Sequence, residues 1–121
     1  MQNLINILFA LELSLLFTHE MDAIRKKEWE MFIFFKNMTD EKACNIFMLL
    51  HIPLYVVILS LLFSSYLNIG YYIIDMFLFG HMLIHFGFRK HVNNKLNGII
   101  SKWIINLAGV LAIIHFVIIL I

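Results

Sequence analysis

An all-α fold is predicted for this chain: an integral membrane bundle of four helices, with a short interfacial segment between the first two. Three observations predict it. Of 121 residues, 62% are hydrophobic and only 14% charged, against about 25% charged in an ordinary soluble domain. The mean hydropathy of +0.89 agrees. The apolar residues fall into four runs, each close to the ~20 residues that a bilayer core demands of a helix. Finally, the nine Lys and Arg residues gather at alternate ends of those runs. One transmembrane domain over residues 1–121 uses up this length.

The first helix is expected over about residues 3–22. No Lys or Arg precedes its apolar run, Glu12 lies inside it and no small-residue cleavage site follows, so it reads as a retained helix rather than an export signal. Residues 24–36 mix basic groups with Trp29, Phe32, Phe34 and Phe35, a composition suited to lying along a membrane surface. After a turn at 37–40, Thr39 or Asp40 is placed to cap the second helix, expected over 41–63. Pro53 removes one backbone donor there and predicts a kink just past His51. Residues 64–70 form an uncharged turn, the third helix covers 71–88, a basic and Asn-rich loop covers 89–97, and the fourth helix covers 98–121.

Arg25, Lys26, Lys27, Lys36 and Lys42 lie between the first two helices. Arg89, Lys90, Lys95 and Lys102 lie between the last two. The positive-inside rule then places both loops in the cytoplasm and both termini outside, in a multi-pass plasma (inner) membrane. Tyr66, Tyr71 and Tyr72 fall at the outer boundary, Trp29 and Trp103 at the inner one. A net charge of +1 gives no reason to expect a nucleic-acid partner, so lipids are the expected surroundings. The lone Cys44 has no internal partner and no metal-ligand spacing, and is expected to pack as a small apolar residue.

The chemistry is expected at 75–91, which reads DMFLFGHMLIHFGFRKH. His81 and His85 are four residues apart, about 40° around a helix, so both rings leave one face one turn from each other. That is how a helix presents two imidazoles to one metal ion. His51, His19 and Asp22 are expected at the same cytoplasmic end, and the predicted ligand set is His19, Asp22, His51, His81 and His85. Imidazole and carboxylate suit a divalent metal, zinc first, with iron or manganese as alternatives. Glu20, about 100° around from His19, is the candidate general base. Glu12, Asp75, Arg89 and His91 are weaker candidates for the site or its surroundings. Glu12 reads equally as a deep ligand, a protonated packing group or a proton carrier, and Asp75 as a structural or proton-relay group. Arg89 reads as a topology signal or a head-group contact, His91 as a solvated loop residue, and His115 as an interhelical hydrogen-bonding residue.

The stretch THEMDAIRKKEW at 18–29 resembles a family of small, uncharacterised four-helix bacterial membrane proteins whose first helix ends in His-Glu-hydrophobic-Asp-Ala followed by Glu-Trp. The likeness continues at His51-Ile52-Pro53-Leu54 and at Asp75, His81, His85, Arg89 and His91. It implies that His19, Glu20, Asp22, His51, His81, His85 and His91 belong to one signature, and that the fourth helix serves packing. No activity comes with it. The residues themselves point first to a metal-dependent membrane enzyme, most simply a hydrolase acting on a lipid or amphiphilic substrate near the cytoplasmic leaflet. Two other classes stay open: a carrier, immunity or assembly subunit with structural histidines, and a haem protein with His51 and His81 as axial ligands.

Overall fold

The computed structural model describes residues 1–121 and contains four long helices and no strand. Helix α1 spans Gln2–Arg25, α2 Asp40–Leu62, α3 Leu67–Phe88 and α4 Ile99–Leu120. Each is long and apolar enough to cross a membrane, which is the pattern of a multi-pass membrane protein. Large apolar side chains such as Leu50, Val57, Phe86 and Ile114 remain exposed on the outside of the bundle. Lipid is the solvent that such a surface fits.

Two helix boundaries move from their expected places. Helix α1 continues past Asp22 to Arg25, whose guanidinium turns back onto the Asp22 carboxylate at 2.6 Å. Helix α3 starts at Leu67 rather than Tyr71, so Gly70 is a helical residue and not part of a turn. A Cβ at Gly70 would stand 3.3 Å from Leu61, so this glycine lets α2 and α3 approach closely where they meet. Helix α2 runs through Pro53 and is capped by Thr39, whose hydroxyl accepts from the Lys42 amide.

Phe9, Leu13 and Leu16 of α1 meet Ile58, Tyr71, Ile74 and Leu78 in the main core, and Ala108 and Ala112 complete it from α4. Small residues on α4 let its backbone come near its neighbours, as is usual where lipid supplies no hydrophobic force between helices. The interfacial segment folds into two short 3₁₀ turns, Glu28–Met31 and Ile33–Phe35. It does not simply lie flat. Trp29 and Phe35 sink into a second core with Ala23, Ala43 and Phe47, under the ends of α1 and α2.

Candidate metal centre

His19 stands near the end of α1, and two residues after that helix stops the chain reverses at Lys27, which takes the left-handed conformation with φ 54°. A non-glycine residue there costs on the order of 1–2 kcal/mol. The reversal is held on both sides. Lys27 Nζ meets Asp40 Oδ2 at 2.6 Å and the Trp29 indole donates to Asp40 at 3.3 Å. The α3–α4 loop secures the same segment, with Lys95 pairing Glu30 at 2.6 Å and the Asn93 side-chain Nδ2 donating to the Glu30 carbonyl. Between these ties Glu28 is turned inward and left only 6% exposed.

Glu28 faces three histidines. His81 Nε2 lies 2.8 Å from His19 Nε2 and 3.1 Å from His85 Nε2. The Glu28 carboxylate approaches His85 Nε2 at 3.1 Å and His19 Nε2 at 3.8 Å. All four ligand atoms lie within 4.8 Å of one another. A tetrahedral ion with bonds of 2.0–2.1 Å has ligand-to-ligand edges of about 3.3 Å, so the spacing matches. Hydrogen bonding alone serves the cluster poorly. An imidazole nitrogen offers either one N–H or one lone pair, and His81 Nε2 is asked to meet two other ring nitrogens. A shared cation accepts all three lone pairs at once, and the residues therefore fit a metal ion. Burial works to raise the Glu28 carboxyl, but the hydrogen bond from His85 and the charges of the three imidazoles outweigh it and leave it below the ordinary carboxylate value.

Two residues expected in the ligand set lie elsewhere. Asp22, three residues from His19, turns to α4 and accepts from the Ser101 hydroxyl, with Arg25 on its other oxygen. His51 is taken by Glu20: its Nε2 meets Glu20 Oε2 at 2.5 Å while its Nδ1 faces the Phe47 carbonyl at 2.7 Å. Because a carbonyl only accepts, Nδ1 carries a hydrogen, and the His51–Glu20 contact must hold one further proton. Both ring nitrogens of His51 are thereby engaged within the bundle.

The remaining candidates are also placed. Glu12, Asp75 and His115 meet one another in a second buried layer. His91 is outside the metal group and its Nδ1 accepts from the Asn93 amide. Arg89 stands over the Phe86 ring at 4.1 Å. It lines a cavity of about 230 Å³ with Lys102, Asn94, Asn97, Asn106 and His85, so that one histidine of the cluster forms part of a polar, cationic wall. Helix α4 does more than pack, since Ser101 and His115 each engage an acid from another helix. Glu28 was legible only as the acid of the Glu-Trp pair, and nothing in the spacing marks Ser101.

No curated protein and no solved structure matches the chain. A family model does match residues 5–121, and over nearly its whole length the chain thus belongs to the family of unknown function DUF6713.

Proposed function

We propose that the protein is a metal-dependent integral membrane enzyme, most simply a zinc hydrolase acting on an amphiphilic substrate with an anionic head group at the cytoplasmic leaflet. The observation that carries this reading is the convergence of His19, His81, His85 and Glu28. Neutral imidazoles and one carboxylate make a borderline donor set that favours zinc, with iron or manganese as alternatives. When bound, a divalent ion supplies Lewis acidity that polarises a carbonyl or phosphoryl oxygen and acidifies water. Glu20, which follows His19 on α1 and shares a proton with His51 of α2, supplies the acid–base function. Arg89 and Lys102, with Asn97 and Asn106 of the same cavity, offer donors to a phosphate or carboxylate head. That cavity opens where the charged loops gather, the end assigned to the cytoplasm by charge.

The test is elemental analysis of the purified, detergent-solubilised chain beside His81→Ala/His85→Ala, followed by a turnover screen on vesicles carrying phosphorylated and acylated amphiphiles. Zinc lost in the double variant, together with turnover that a chelator abolishes, is the expected result. A folded wild-type protein that takes up no ion at this cluster from a zinc-containing buffer overturns the proposal.

A further inference from the structure

We infer that Glu12, Asp75 and His115 form a second site for a divalent metal ion, separate from the cluster around His19 and independent of the function proposed above. The three residues come from α1, α3 and α4 and are 0%, 2% and 0% exposed. His115 Nδ1 lies 2.9 Å from Asp75 Oδ1 and 3.4 Å from Glu12 Oε2. Their ligand atoms all fall within 4.8 Å. Phe9 stacks on the His115 ring and Tyr71 meets it edge-on, which fixes the imidazole toward the acids.

What points to a ligand is the unmet demand inside this layer. Both Glu12 oxygens and Asp75 Oδ2 are buried without a hydrogen-bond partner, whereas buried polar atoms as a rule have one. A single Nδ1–H serves one acceptor, yet two carboxylates face it. The only ionic partner of either acid is His115. With a neutral imidazole the ionised layer carries two negative charges, and one divalent ion brings it to zero. Neutrality matters most here, because an uncompensated charge in an apolar interior is the costliest arrangement available. Two carboxylates and one imidazole suit manganese, iron or zinc.

The layer is not the second half of a dinuclear centre. Glu12 and His19 are seven residues apart on α1, about 10 Å along the axis, against the ~3.5–4 Å between ions that share a reaction. Leu16 and Leu78, both buried, belong to the core cluster on the intervening stretches of α1 and α3.

The experiment equilibrates the purified full chain with Zn²⁺ or Mn²⁺ in detergent, desalts it and counts metal by mass spectrometry, with circular dichroism as the check on folding. Glu12→Gln keeps size and polarity, and Asp75→Asn provides a second variant on another helix should the first fail to fold. The expected result is a loss of about one ion per chain in whichever variants fold, with the ion removed by His81→Ala/His85→Ala still present. Folded variants that hold as much metal as the wild type overturn the inference and leave protons to neutralise the layer. An ion lost in Glu12→Gln but kept in His81→Ala/His85→Ala upholds this site even where the cluster around His19 binds nothing.

Discussion

Glu28 and Asp22 exchange the roles that their sequence positions suggest. Asp22 sits one turn from His19, yet its oxygens are taken by Ser101 and Arg25. Glu28 lies beyond the helix end and still reaches two histidines of the cluster. Glu28→Gln should therefore lower metal affinity by more than the ~10–100-fold that loss of an outer partner costs, as read by competition with a chromogenic chelator. Asp22→Asn should leave metal content unchanged and cost about 1–3 kcal/mol of stability, because two donors lose a charged acceptor. Thermal unfolding measured beside metal content separates the two outcomes. Glu20→Gln makes a third case. It removes the carboxylate that shares a proton with His51, so turnover in the vesicle assay should fall ~10²- to 10⁴-fold with metal content intact. Unchanged turnover would assign that pair to packing between α1 and α2.

Helix α4 contributes small residues as well as its two polar contacts. A Cβ at Gly109 would stand 2.8 Å from Met82 Cβ, a distance that cannot be relieved by turning the end of a flexible side chain. Gly109→Ala should push α3 from α4 at a cost of about 1–3 kcal/mol. Met82 follows His81 directly, so the same variant should weaken metal binding although it touches no ligand, and calorimetric titration with zinc would read that loss. These elements also mark where the sequence was legible. The helices could be read because apolar runs of bilayer length leave little choice, and the His81/His85 pair because a four-residue spacing fixes its geometry before any partner is known. The placement of Glu28 could not, since it depends on a left-handed Lys27 held by Asp40 from another element. The separation of His51 from the cluster was equally hidden: depth along a helix was readable, but which neighbour its face meets was not. Gly70 misled for the opposite reason, its role being close approach rather than a turn.

At the scale of the whole molecule, the charged loops, the 3₁₀ turns and the cluster around His19 share one end of the bundle, while Glu12 and Asp75 lie near the middle of α1 and α3. The orientation assigned by charge predicts that Ser65→Cys is labelled by an impermeant maleimide on intact cells and Val92→Cys is not, in a Cys44→Ala background; both positions are exposed. The reverse pattern would move the cluster to the other leaflet. Depth also adds a variable that neither cluster reveals by its distances. The full membrane potential is worth ~2.3 kcal/mol per elementary charge per 100 mV, so a charge held about halfway across feels ~1.2 kcal/mol of it. A divalent ion in the layer of Glu12, Asp75 and His115 would feel about twice that, roughly a 50-fold change in affinity per 100 mV. Occupancy of that layer is then a function of voltage, and polarised proteoliposomes should load it differently from depolarised ones.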